Sequence, residues 1–340
     1  MTTTTTTTTP NTTTTTYDAI VIGGSFAGLS AAMQLARARR RVCVVDAGQP
    51  RNRFAAASHG FFGQDGEPPL AMIEQARRKL LAYPTVTLRQ GTAVSATAQR
   101  GGAALSGESE GSSAGASPGG FDVVLHDGTA PQTTLSAHKL VLAFGVLDGL
   151  PDIAGLRERW GASVLHCPYC HGYEFAGQRL GVLYHSPQSG MHAQLIADWG
   201  PTTLFLNGET TLEPAEHERL LALGIAVEPA RIAALEGPGQ ALHGVRLQAH
   251  GGNDARLVPL DALYVAATTR PASPLAEQLG CEMDDGPMGP CIRTDANKIT
   301  TVPGVYAAGD ATLMRHNATL ASAEGVLAGV GAHQAMVFGQ

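Results

Sequence analysis

The sequence has no run of apolar residues near the roughly 18 that a bilayer span requires, and it has no surplus of basic charge. Its 23 Lys and Arg stand against 29 Asp and Glu, a formal charge of −6. Neither nucleic acid nor an anionic membrane surface has electrostatic reason to bind such a chain. Cysteine is scarce and odd in number, five in 340 residues. That is too few for a disulfide framework and argues against an oxidising compartment. Met1 to Thr16, almost entirely threonine, lacks the basic and apolar regions of a secretory signal. A polar tract of this kind cannot bury enough surface to offset its ordering entropy, so a disordered tail is expected. These absences lead to a cytoplasmic enzyme with no membrane and no nucleic-acid partner.

What is present suits two α/β domains, at roughly 150 residues per domain, and 44% apolar residues supply their cores. Asp18-Ala19-Ile20-Val21-Ile22 reads as a buried strand running into Gly23 and Gly24. A helix from about Ala27 to Ala38 and a strand Val42–Val45 ending at Asp46 complete a βαβ unit. Arg100 to Gly120 is Gly/Ser-rich and reads as a flexible excursion. A strand over Lys139–Ala143 is followed by a linker at Leu150–Gly155. A second α/β block begins near Gly161 and runs to about Ala266. Val305–Asp310 then returns as a strand ending on an acid, followed by a small-residue helix. The expected domains are a first part over 17–153, an inserted nucleotide-binding-like unit over 154–266, and a second part of the first domain over 267–340.

Four motifs carry the chemistry. Gly23-Gly24-Ser25-Phe26-Ala27-Gly28 with Asp46 has the parts of a dinucleotide cradle. A tight turn brings backbone amides onto a pyrophosphate, and a carboxylate about 20 residues on holds the ribose. Ser25 stands where the middle glycine is usual. Gly309-Asp310, at the end of the returning strand, can face a ribityl chain or phosphate; alone, such an Asp is more often a helix N-cap. His166-Cys167-Pro168-Tyr169-Cys170-His171 is a redox dithiol run. Pro168 suits a first helical turn, which places Cys167 near an N-cap that favours thiolate. Flanking imidazoles can move the proton that exchange requires. Zinc needs two further ligands at matching spacing, and Cys281 and Cys291, ten apart, do not supply them; no metal is expected. Cys43 reads as inert core, and Cys281 and Cys291 as free thiols on loops. The fourth motif is a gap: Tyr184-His185-Ser186-Pro187-Gln188-Ser189-Gly190 has no glycine fingerprint, and Thr203–Gly208 leads into no 2′-phosphate arginines.

The order of a glycine turn, a Cys-x-x-Cys in an inserted domain and a returning Ala307-Ala308-Gly309-Asp310 resembles low-molecular-weight thioredoxin reductase, from about Tyr17 to the C-terminus. Pro50-Arg51-Asn52-Arg53, Ser58-His59-Gly60-Phe61 and His166–Glu174 resemble one branch, the dithiol oxidases that close disulfides in natural products such as gliotoxin, holomycin and romidepsin. The resemblance implies a thioredoxin reductase-like α/β fold of two Rossmann-like domains, the FAD domain discontinuous, and a homodimer. It implies FAD held by Gly23, Gly24, Gly28, Asp46 and Asp310, with Ser25, Ala27 and Gly309 in the same turns and Asn52 and His59 near the flavin. Cys170 would face the flavin and Cys167 the substrate, with His166 as base, Asn52 orienting it, and His171 where thioredoxin reductases carry an acid. Phe144 replaces the usual threonine of the Ala-Thr-Gly strand end. The resulting expectation is oxidation of a small-molecule or cyclic-peptide dithiol, electrons passing to FAD and then to oxygen or NADP⁺. The alternatives are an NADPH- or ferredoxin-dependent disulfide reductase, and a flavin-binding redox sensor without turnover.

Overall fold

The computed structural model describes residues 16–99, 119–128, 132–186, 188–208, 212–249 and 255–339. The threonine tail up to residue 15 and the Gly/Ser-rich segment 100–118 lie outside the described residues. The opening βαβ unit comprises β1 (Thr16–Ile22), α1 (Phe26–Arg37) and β2 (Val42–Asp46). The strands are apolar on both faces, with Ala19, Ile20, Val21 and Val44 fully buried, as a parallel strand between two covering layers must be. After α2 (Pro69–Leu81) follow β3 (Val86–Gln90), β4 (Thr92–Gln99), β5 (Gly120–His126) and β6 (Thr133–Leu142). They order as β3-β2-β1-β6-β5-β4. The sheet is parallel through β1, β2, β3 and β6, and antiparallel from β6 through β5 to β4.

The chain leaves through β7 (Val146–Gly149). The inserted unit has a parallel five-stranded sheet ordered β11-β10-β9-β15-β8, made of β8 (Val164–Leu165), β9 (Leu180–Leu183), β10 (Thr202–Phe205), β11 (Ala226–Glu228) and β15 (Ala262–Val265). Between them run α3 (Pro168–His171), α4 (Ser189–Ile196), α5 (Pro214–Ala222) and an antiparallel sheet of β12 (Ile232–Glu236), β13 (Gly244–Leu247) and β14 (Leu257–Pro259). The chain returns through β16 (Thr268–Pro271), paired antiparallel with β7, so the two crossings form one ribbon.

After α6 (Leu275–Leu279) and the hairpin β17 (Met283–Gly286) to β18 (Gly289–Ile292), β19 (Val305–Ala307) adds parallel to β6. The last helix, α7 (Ala318–Phe338), packs on α1. This is the expected class: a discontinuous Rossmann-like domain with a second one inserted. Cys281 and Cys291 are free thiols, as expected, and Cys281 lies on the loop between α6 and β17; the loop placement of Cys291 is corrected. Both are buried, and Cys291 lies within β18, so each packs as a small apolar group. Small residues set the α1–α7 contact: a Cβ on Gly325 would stand 2.0 Å from the Ala27 carbonyl oxygen. Among the described residues no helix is long and apolar enough to cross a membrane.

Candidate active site

A cavity of about 1440 Å³ opens between the two units, with the β1–α1 turn in one wall and His166, Cys167 and Cys170 in another. Gly23 has φ +110°, and a Cβ there would stand 2.2 Å from the Ala143 carbonyl oxygen. A Cβ on Gly28 would stand 1.8 Å from the Gly23 oxygen. Both positions therefore require glycine. Ser25 is the extended N-cap of α1, and its side chain makes no capping bond, which leaves first-turn amides for an anion. The Gly24 amide donates to Asp46 Oδ1 at 3.2 Å, and Arg77 Nη2 donates to Asp46 Oδ2 at 2.6 Å. Gly309 has φ +83° and comes against Ala27, which also lines the cavity. Glu324 fixes this turn from below, accepting from the Gly309 amide at 3.2 Å and from Thr312 Oγ1 while pairing with Lys298. A glycine cradle at a helix start and a carboxylate at each side fit a flavin dinucleotide.

In the dithiol run, Cys167 is the extended N-cap and Pro168 the first residue of α3. A Cβ on Gly172 would stand 2.7 Å from Trp199 Nε1, and the Tyr169 ring meets Trp199 edge-on at 5.7 Å, so α3 lies close against that indole. Both cysteines are free thiols, with Cys170 Sγ donating to Cys167 Sγ at 2.7 Å. That bond, helped by the Cys170 and Tyr169 amides and Arg51 and opposed by burial, lowers the Cys167 thiol to about 7. The same bond, with burial, pushes the Cys170 thiol up. Cys167 is therefore the more acidic of the two thiols.

The two histidines differ in company. His166 has Nδ1 3.4 Å from the Val265 carbonyl. Burial, then the Arg51 cation, depress it, so it stands as neutral imidazole. Asn52 lines the same cavity, but among the described residues no hydrogen bond joins it to His166. His171 is lowered by burial, against Glu174, and its ring lies 6.5 Å edge-on from His59. His59 is held between Asp65 at 3.5 Å and Glu174 at 3.3 Å. Phe144 is also in the cavity wall. Sequence reasoning missed Asp148, Glu324, His316 and Arg77, and gave Arg51 no role beyond its motif.

In the inserted unit, Ser189 is fully buried and its Oγ accepts from the amides of His185 and Ser186 at 3.0 and 3.1 Å. A Cβ on Gly190 would stand 1.8 Å from Glu216 Oε1. Glu216, with Arg219 Nη2 4.0 Å from its Oε1, therefore packs from α5 against the first turn of α4. One feature ran against expectation: Arg231, from the loop before β12, stands beside Gly208 after β10.

The profile of the pyridine nucleotide-disulphide oxidoreductase family matches residues 17–182 and 201–325. The chain is 31% identical to the thioredoxin reductase tcpT of Claviceps purpurea, over 92% of either chain. Among solved structures, an oxidoreductase from Agrobacterium tumefaciens is 41% identical with a TM-score of 0.83, over 96% of this chain and 100% of that one. HlmI is 35% identical with a TM-score of 0.81, over 94% and 92%. The chain belongs to the pyridine nucleotide-disulphide oxidoreductase family, as a thioredoxin reductase-like, FAD-binding enzyme that acts on sulfur groups.

Proposed function

We propose that the enzyme is a dithiol oxidase, closing a disulfide in a small-molecule or cyclic-peptide dithiol through Cys167 and Cys170. The observation that favours this direction is the turn after β9, Tyr184 to Gly190, which has no glycine fingerprint for a nicotinamide dinucleotide as electron source, while the cysteines line the large cavity. A substrate thiolate attacks Cys167 Sγ of the oxidised pair, and Cys170 leaves as thiolate. The second substrate thiolate attacks the mixed disulfide, the substrate S–S bond forms, and Cys167 leaves. Two electrons end on the cysteine pair, and the proton from the second substrate thiol goes to the neutral ring of His166. The chemistry FAD supplies when bound is acceptance of that electron pair and its delivery to oxygen or NADP⁺. Gly23, Gly24, Ser25, Ala27 and Gly28 would hold the pyrophosphate, Asp46 the ribose, and Gly309 and Asp310 the ribityl side, with Asn52 and His59 nearer the flavin.

Oxygen consumption by the purified enzyme with a reduced cyclic-peptide dithiol tests the reading. Uptake is expected, and Cys167→Ser and Cys170→Ser should abolish it while FAD stays bound. No uptake, with rapid anaerobic reduction of the flavin by NADPH, would establish the reductase instead. Arg231 beside Gly208 is the observation that favours that second reading. Bound FAD with neither oxygen uptake nor flavin reduction by NADPH in the parent enzyme would favour a sensor.

A further inference from the structure

The loop of residues 58–67 belongs to the first unit, yet its histidine reaches the dithiol turn of the inserted one. The loop is closed on itself. The Ser58 amide donates to the Glu67 carbonyl and the Gly66 amide to the Ser58 carbonyl, both at 2.9 Å, and the Gly60 amide donates to Asp65 Oδ1 at 2.8 Å. His59 has Nδ1 3.5 Å from Asp65 Oδ1 and Nε2 3.3 Å from Glu174 Oε1. Glu174 sits in the 3-10 turn Tyr173–Phe175, which continues α3: the Gly172 amide donates to the Pro168 carbonyl at 2.6 Å and the Phe175 amide to the Gly172 carbonyl at 3.2 Å. The His171 ring, at the end of α3, meets the His59 ring edge-on at 6.5 Å. A helix of four residues cannot hold itself in place. Trp199 holds α3 from within the inserted unit, and His59 holds it from the first unit. His59, His171, Cys167 and Cys170 line one cavity.

We propose that His59 is a proton-dependent clasp, a positioning residue that ties the dithiol turn to loop 58–67. An imidazolium presents a proton from each nitrogen, whereas the neutral ring presents one and turns a lone pair to the other side. With a carboxylate at each nitrogen, only the imidazolium keeps both contacts; the neutral ring must give one up. The titratable groups facing the ring are Asp65 from its own loop, and Glu174 and His171 from the dithiol turn. Burial lowers His171 and keeps it neutral there, and Glu174 also acts on the Tyr264 hydroxyl of β15. A histidine changes charge between about pH 5 and 8, so the clasp is closed toward the acid end of that range and loosened toward the alkaline end. The inference rests on the proposed roles of Cys167 and Cys170 for its consequence, the orientation of the two sulfurs in the cavity.

The test is hydrogen–deuterium exchange of the purified holoenzyme, read by mass spectrometry over residues 58–67 and 167–175, with FAD per chain and oxygen uptake measured alongside. At about pH 6, Glu174→Gln should exchange about threefold faster than the parent in both segments, the effect of one or two exposed ion pairs, with FAD retained. By about pH 8.5 the two proteins should exchange alike. His59→Lys, a permanent cation, should stay protected at about pH 8.5, beyond the parent. Should Glu174→Gln fail to fold, His59→Gln removes the clasp from the other side and predicts the same difference. Equal exchange in parent and variants at about pH 6, or a difference that does not change with pH, overturns the clasp. Loss of FAD from His59→Gln without faster exchange over 167–175 also overturns it and gives the ring to the flavin. A reduced cyclic-peptide dithiol that draws no oxygen from a parent showing the full exchange difference sinks the oxidase reading and leaves the clasp in place.

Discussion

Glu324 gives the sharpest test of how the flavin side of the site is built. Its carboxylate accepts from the Gly309 amide and Thr312 Oγ1 and pairs with Lys298 Nζ, with the two charged side chains 10% and 14% exposed. Glu324→Leu strands the ammonium and the amide. Breaking one side of such a pair costs about 3–5 kcal/mol, and at about 2–4 °C per kcal/mol the melting temperature should fall by roughly 10 °C. Because Gly309 and Asp310 share the turn that Glu324 anchors, flavin retained per chain after gel filtration should fall with it. Lys298→Met combined with Glu324→Leu replaces the pair by apolar groups of similar length and should recover most of the melting temperature. The assay is thermal unfolding followed by circular dichroism, alongside flavin absorbance. A Glu324→Leu melt within about 2 °C of the parent, or a double variant no better than the single, would refute the reasoning.

Acid should destabilise the protein well before its carboxylates titrate. Burial lowers His192 to about 4 and also depresses His166, His171 and His316. Their contribution is therefore full above about pH 7 and is lost as pH falls toward those depressed values. His192 alone accounts for about 2 kcal/mol between pH 7.5 and 5, so urea midpoints should drop over that range and His192→Leu should flatten the slope. Gly28→Val places side-chain carbon where only 1.8 Å separates a Cβ from the Gly23 oxygen, and the purified variant should be colourless. A homodimer through the exposed apolar stripe of Leu320, Leu327, Val330, Val337 and Phe338 on α7 predicts that Leu327→Glu halves the mass seen by light scattering; an unchanged mass rules that face out.

The chain by itself determined whatever depends on near neighbours. Pro168 after Cys167 and the two-residue gap to Cys170 are local geometry. So are the glycines at 23 and 28, the alternation of apolar strand and small-residue helix, and the Gly309-Asp310 turn after a strand. Each was legible because the physics acts within one turn or one βα junction. Local reading failed where segments met. Cys281 and Cys291 looked like loop thiols, yet packing buried them. The two histidines both adjoin the dithiol in sequence, and only the family resemblance told them apart. The tertiary fold set His166 against the Val265 carbonyl and His171 edge-on to His59. Arg51 meets carboxylates 97 and 259 residues away, and Glu216 reaches Gly190 from the next helix. Such pairings leave no periodicity in the chain. They exist only once two sheets close on one cavity and exclude the water that would otherwise screen the charges.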